Sequence, residues 1–452
     1  MVLKNKNVNM LSGSITKGLL ALTIPIMVMN VVQNIFNIVD MTVLGNWVGD
    51  GAVGAVGASG MLITLCTCLL IGIASGSNIV VAKRMGERNS ERMEKAVGTS
   101  MIVAIGGGVF LAIVGFLFAE TFLKWTNCPD ALLADATLYF RLYFVGVPFL
   151  MLYNFSAAIL RAIGDTKRPM YFLLGCSGLK VLLNILFIRV FHMDVDGVGC
   201  ATIISNLLVS TLCIIALRRS ILQFRFRKMR FDMVELKAIL HLGIPTGLQS
   251  ACYALANVVI TTVVNGFGPD ATTGISISNQ IDNILYNISC ATSLAASPYI
   301  AQNVGAHNIP RAKKSLVRSI GITIVFGGTL GALASIFSGE LASIMSSSPS
   351  VIAFARQKTM LISATYFLSG INEVMSGAMR GLGKPIIPTI STLIFMCLLR
   401  FFWVYAIFPL VPNLTFLYLI WPIGWVLSII FLSIFYFPTI AKLQKKFAVS
   451  HS

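Results

Sequence analysis

The sequence predicts an all-α integral membrane protein of twelve transmembrane helices, arranged as two six-helix lobes related by a pseudo-two-fold axis along the membrane normal. Three observations predict it. The 452 residues are 56% hydrophobic and only 11% charged, where a soluble chain carries about 25% charge. The apolar residues form runs long enough to cross a bilayer, which takes roughly 20 residues of helix. The second half of the chain also returns to landmarks of the first at a nearly constant offset.

Twelve apolar runs fall near 17–45, 53–82, 96–120, 133–162, 170–192, 197–217, 239–267, 272–302, 316–338, 352–381, 387–409 and 414–440. Their length and their Leu, Ile, Gly and Ala content favour helices over barrel strands, which alternate over roughly 10 residues. The leading stretch MVLKNKNVNMLSGSITKG is polar and basic, with no cleavage site behind a short apolar core. The first run is therefore expected to be a retained helix and not a signal peptide.

That first run carries Asn30, Gln33, Asn34, Asn37 and Asp40. At helical spacing these five share an arc of roughly 120° on one face. An Asp near the middle of a spanning helix costs on the order of 3 kcal/mol against lipid. The stripe should face a protein interior or a wet cavity, either as a helix–helix contact or as a functional site. Pro25 lies one turn earlier and is expected to kink the helix.

Charge sets the orientation. The linkers after the even-numbered runs are basic: Lys83, Arg84, Arg88 and Arg92; Arg161, Lys167 and Arg168; Arg218 to Arg230; Arg311, Lys313 and Lys314; Arg380 and Lys384. The alternate linkers hold Asp50, Asp130, Asp194, Asp196, Asp270 and Glu340. Lys4, Lys6, Lys17, Lys442, Lys445 and Lys446 make both ends of the chain basic. The excess of Lys and Arg in cytoplasmic loops then puts both termini in the cytoplasm. It also accounts for the net charge of +17 without invoking nucleic acid. The densest run, RRSILQFRFRKMR at 218–230, reads as an inter-lobe linker on the membrane surface or a contact for anionic lipid heads.

The repeat is specific. At an offset of 220, Ile24-Pro25 returns as Ile244-Pro245, and Asp50 with Gly54 as Asp270 with Gly274. At an offset of 219, Gly86-x-x-Asn89-x-x-Arg92 returns as Gly305-x-x-Asn308-x-x-Arg311, Arg161-x-x-Gly164 as Arg380-x-x-Gly383 and Pro169 as Pro388. Six spans per half keep both copies in the same orientation, with a central site between two lobes. The expected domains are 1–217, a basic cytoplasmic linker 218–238, and 239–452. The copies also differ. Asn37 matches Asn257, but Asp40 matches Ile260; Asn154 matches Glu373.

Other polar residues inside the runs are the remaining candidates. Lys180 and Asn184 stand four apart on one face of the fifth run, and Thr202 lies in the sixth. A Lys this deep needs a partner, and Asp40 is the candidate. Arg400 lies mid-run in the second half, with Asp282 and Glu373 as candidate partners, in a salt bridge or at a ligand site. Gln33, Asn34, Asn154 and Asn257 complete the candidate substrate-binding set.

The nine Cys and four His are scattered without metal-ligand spacing. No GxxxxGK[ST] phosphate loop, no Ser-His-Asp arrangement and no HExxH pattern occurs in the sequence. An enzyme, an ATP-driven pump and a resident cofactor are therefore not expected.

The Asp after IP in the first span, the stretch ILRAIGDTKRP and its echo AMRGLGKPIIP resemble the multidrug and toxic compound extrusion (MATE) family, with the bacterial DinF-like branch nearest. The resemblance covers roughly residues 12–440. It implies a V-shaped two-lobe transporter, a monomer in the bacterial plasma membrane, that exports small organic cations in exchange for H⁺ or Na⁺ by alternating access. The wider superfamily's flippases for lipid-linked sugars are the alternative. The family's first-span acid maps onto Asp40, its span-five polar pair onto Lys180 and Asn184, and its span-six Thr onto Thr202. The ion-coupling set is then Asp40, Asn37, Lys180, Asn184 and Thr202. Where the family has a second carboxylate this chain has Asn184, and it places Lys180 where the family has Asn. That counts against the Na⁺ site that the resemblance implies near Asp40.

Overall fold

A computed structural model of the chain describes residues 8–126, 128–220 and 230–449. Lys4, Lys6 and most of the basic run 218–230 (221–229) lie outside the described residues.

The first half contains six long helices: α1 (Ile15–Trp47), α2 (Asp50–Gly86), α3 (Ser90–Trp125), α4 (Asp130–Ala162), α5 (Lys167–Arg189) and α6 (Val195–Ser220). The second half opens with α7 (Met233–Asn265), α8 (Pro269–Gly305) and α9 (Ile309–Ile336). A short α10 (Ser338–Ser343) precedes the tenth span, which is broken at Thr365 into α11 (Pro349–Ala364) and α12 (Tyr366–Gly381). The eleventh begins as α13 (Ile386–Thr392), winds through a π-helical stretch Leu393–Leu398, α14 (Leu399–Phe402) and a second π stretch Trp403–Ile407. The last is α15 (Leu414–Tyr418) followed by α16 (Ile420–Val449). No strand occurs among the described residues.

Ten of these segments are apolar enough by themselves to span a membrane. The other two expected spans are α8, which carries Asn279, Gln280, Asp282, Asn283 and Asn287, and the broken α11–α12. Their polar side chains can be carried only inside a bundle, where neighbouring helices satisfy them.

The repeat extends to backbone detail. Arg88 (φ 54°) and His307 (φ 59°), equivalent positions of the two halves, both close a helix in the left-handed region. In the next position Asn89 and Asn308 cap α3 and α9, accepting from the backbone N–H of Arg92 (2.9 Å) and Arg311 (3.1 Å). Gly164 and Gly383, likewise equivalent, take φ values of 86° and 80° before the fifth and eleventh spans.

The chain forms two compact units, whose boundaries fall inside helices rather than in the linker. One comprises residues 1–8 and 28–247; the other comprises 9–27 and 248–452. The cuts in α1 and α7 fall at repeat-related positions and follow Pro25 and Pro245 by a few residues. A mid-helix Pro removes one backbone bond and opens the helix there, so each half-helix packs with its own unit.

In the first unit, Gly72 and Gly76 of α2 meet Gly243 and Gly247 of α7. A Cβ on Gly72 would lie 2.3 Å from the Gly247 backbone nitrogen, and one on Gly76 would lie 2.5 Å from the Ile239 carbonyl. Two small-xxx-small patterns thus bring the backbones into contact. Below that crossing Arg84 binds Glu235 at 3.0 Å and Glu87 at 2.8 Å, with Arg84 only 9% exposed. Arg84 is therefore a buried clip and not the free loop cation expected from its basic neighbours. In the second unit, the Arg311 guanidinium donates to the carbonyls of Met10, Ser12 and Gly13, tying the entry of α1 to α9.

Candidate functional site

In the first unit the C-terminal half of α1 lies beside α5. Asp40 is 8% exposed. Its Oδ2 accepts from Lys180 Nζ at 2.6 Å, and its Oδ1 accepts from Asn184 Nδ2 at 2.7 Å. The four-residue spacing of Lys180 and Asn184 delivers both donors to one carboxylate. Asn184 is fully buried, whereas the Lys180 side chain keeps 21% of its surface. Isolated in a low-dielectric bundle, either ion would cost several kcal/mol to desolvate; paired and hydrogen-bonded, they compensate each other. The carboxylate is thus already satisfied by a cation that belongs to the chain.

The other first-half candidates do not join this cluster. Thr202 donates to Val198 O on its own helix at 2.8 Å, Asn34 to Asn30 O at 3.2 Å and Asn154 to Leu150 O at 2.9 Å. Gln33 and Asn37 are exposed.

The second unit holds a cavity of about 470 Å³ between α7, α8, α11, α12 and α16. Here the expected pairing is corrected. Asp282 does not bind Arg400; its Oδ2 accepts from Lys358 Nζ at 2.8 Å, and the same ammonium reaches Asn279 Oδ1. Lys358 is 1% exposed. Arg400, 2% exposed, donates from Nη1 to Asn257 Oδ1 at 2.7 Å and lies 5.0 Å over the Trp421 ring. No carboxylate comes within ion-pair distance of it among the described residues. Glu373 is buried but does not line the cavity. Its charged neighbour is Arg380, which in turn donates to Gln249 Oε1 and Ser293 Oγ. Arg380, expected in a basic loop, is therefore a buried bundle residue.

Sequence reasoning did not single out Lys358, Asn279 or Trp421. The signal for Lys358 was present: it is the one Lys between Arg356 and Arg380, a turn or more inside the tenth run. Near a helix end it reads equally well as a snorkelling cation.

Ion pairs buried inside each of two same-orientation helical repeats are a device of membrane transporters, which keep charged residues off lipid and at the cargo or ion path. The MatE family pattern matches the chain twice, over residues 25–186 and 245–406, and the chain belongs to this family. It is a transporter and not an enzyme. The two matches begin and end at the same offset, 220, which is the sequence repeat seen independently. Lys180 and Arg400 are related by that offset too.

The probable multidrug resistance protein YoeA of Bacillus subtilis is 28% identical over 84% of this chain and 84% of its own. The FAD transporter of Shewanella oneidensis is 22% identical over 86% of this chain and 87% of its own. The structure of an outward-facing multidrug resistance MATE family transporter of the MOP superfamily superposes with a TM-score of 0.90. It shares 20% identity and is covered to 99%, against 97% of this chain.

Proposed function

We propose that the protein is a secondary-active multidrug exporter of the bacterial plasma membrane that exchanges H⁺ for small amphipathic organic compounds by alternating access. The observation that carries this reading is the Asp40–Lys180–Asn184 cluster. An antiporter needs one group that changes charge state between two conformations, and an ion can drive the change only through its different affinity for the two. Lys180 is the group that exchanges the proton, with Asp40 as its counter-ion and Asn184 holding the carboxylate in place. The ammonium occupies the place a Na⁺ ion would take, so Na⁺ is disfavoured by direct repulsion. Relatives named for multidrug resistance support export of organic compounds; the resemblance implied organic cations. Each chain carries both repeats, so one copy suffices.

Reconstituted vesicles test the reading. An imposed pH gradient should drive saturable uptake of ethidium, and a Na⁺ gradient alone should not. Movement of a labelled lipid with no drug transport would reassign the protein as a flippase. Both termini are cytoplasmic in this proposal. Cysteines placed at Ser90→Cys and Lys313→Cys, in a cysteine-free background, should both resist an impermeant maleimide added to intact cells. Labelling of either from outside would overturn the orientation.

A further inference from the structure

We infer that the cavity of the second unit is a binding site for planar aromatic anions, with Arg400 as the residue that recognises the anionic group. Three observations converge on it. The first comes from the repeat. Arg400 occupies the repeat position of Lys180, Asn257 that of Asn37, and Ile260 that of Asp40. The second unit has thus kept the cation of the first and lacks its carboxylate. Ile260 lines the cavity at the place where the acid would be, and it is 4% exposed. The second is the charge balance. The cavity is lined by two cations, Lys358 and Arg400, and one carboxylate, Asp282. Lys358 neutralises Asp282 at 2.8 Å. Arg400 has only the neutral oxygen of Asn257 as an acceptor among the described residues. A guanidinium buried to this degree is costly unless something neutralises it. The third is the wall. Tyr253, Tyr286, Tyr366, Trp421 and Trp425 line the same space, and Arg400 is stacked on the Trp421 face.

A ligand that fits supplies what the site lacks. A carboxylate, sulfonate or phosphate accepts from the guanidinium in a charge-assisted bond. A flat ring system attached to it packs among the aromatic side chains. An organic cation meets the opposite: an unneutralised guanidinium and an ammonium already bonded to the one available acid.

This inference is independent of the coupling assigned to the first unit, because binding to the purified protein needs no gradient. The test uses three probes of one shape: 2-naphthoate, neutral 2-naphthalenemethanol and cationic 2-naphthylmethylammonium, titrated by calorimetry into the detergent-solubilised chain. The naphthoate should bind at least about tenfold tighter than either of the others. Arg400→Gln should reduce naphthoate binding by about tenfold or more and leave the neutral probe unchanged. Ile260→Asp keeps Arg400 and installs the acid found at the first unit's position; it should abolish the preference for the anion. This second variant adds a counter-ion to a buried cation, so it does not share the folding risk of the first. Equal binding of the three probes, or a retained anion preference in Ile260→Asp, would overturn the inference. So would tighter binding of dioctanoyl phosphatidic acid than of the naphthoate, since that would identify a lipid phosphate as the occupant.

Discussion

Each unit contains one Lys–carboxylate–Asn cluster, and the two clusters are not copies of each other. In the first, α1 supplies Asp40 and α5 supplies Lys180 and Asn184. In the second, α8 supplies Asp282 and Asn279 while α11 supplies Lys358. No member of one stands at the repeat position of a member of the other. The exposure pattern is also reversed. The first unit's ammonium keeps 21% of its side-chain surface and its acid 11%; the second unit's ammonium keeps 2% and its acid 16%. The difference separates two jobs that look alike as a contact. The first unit's ammonium keeps a path to water, whereas the second unit's is sealed among two acceptors and Trp421 as a clip between α8 and α11. The repeated backbone therefore does not dictate where the charges go.

The strongest way to break this comparison is to neutralise each acid. Asp40→Asn keeps shape and hydrogen bonding but removes the counter-ion whose separation from Lys180 is the proposed driving step. Proton-driven ethidium transport should fall by about 100-fold or more, to the level of empty vesicles. Lys180 can then turn its ammonium toward water, so the protein should remain folded by thermal shift. Asp282→Asn should retain transport within about threefold, because a clip weakened on one side still holds α8 to α11 through Asn279. Equal loss in the two variants would show that both clusters couple.

Stability should rank the clusters in the opposite order. Lys358→Ala leaves the partly buried Asp282 carboxylate without a donor among the described residues and takes the donor from Asn279 as well, which should cost about 3–5 kcal/mol. Lys180→Ala leaves Asp40 still accepting from Asn184 at 2.7 Å, so the cost should be about 1–2 kcal/mol. The double variant Lys358→Ala with Asp282→Ala should recover much of the first loss. Detergent-phase denaturation of the four proteins checks the order, and a smaller loss for Lys358→Ala than for Lys180→Ala would remove the distinction.

What could be read from the sequence follows the range of the interactions. Spans, repeat and orientation are written in local composition and in residues spaced at fixed offsets, and the fold reproduces spans and repeat. The Asp40–Lys180 contact joins residues 140 apart, yet it was legible because an intramembrane acid and an intramembrane base have few ways to be satisfied. The Asp282–Lys358 contact, 76 apart, was not. Lys358 lies close enough to a helix end to read as snorkelling, and Arg400 drew Asp282 as the obvious partner. The π-helical turns at 393–398 left only a trace: the offset is 219 at Pro388 and 220 at Arg400, one residue having been inserted between them. Arg84 and Arg380 misled for a related reason. Both sit in basic clusters at helix ends, and only the bundle shows that they are buried beside Glu235 and Glu373.

The smallest expected effect sharpens the assignment of the first cluster. Lys180→Asn restores the residue that the resemblance leads one to expect and removes the charge that repels a metal cation. Asp40 would then offer two oxygens, with Asn184 and the new Asn as neutral ligands, the hard oxygen set that suits a small alkali ion. The wild-type chain should be stabilised equally by Na⁺ and K⁺ in a thermal-shift titration, since neither finds a vacant acid. The variant should acquire a preference for Na⁺, with a midpoint lowered by about tenfold, which corresponds to about 1.4 kcal/mol of recovered attraction. The result separates two accounts of the ammonium. If Lys180 stands in for a bound ion, removing it must open a place for one. An unchanged Na⁺ response would mean that Lys180 and Asn184 position Asp40 for another partner, and the proton would have to be assigned elsewhere, with buried Glu373 of the second unit as the next residue to test.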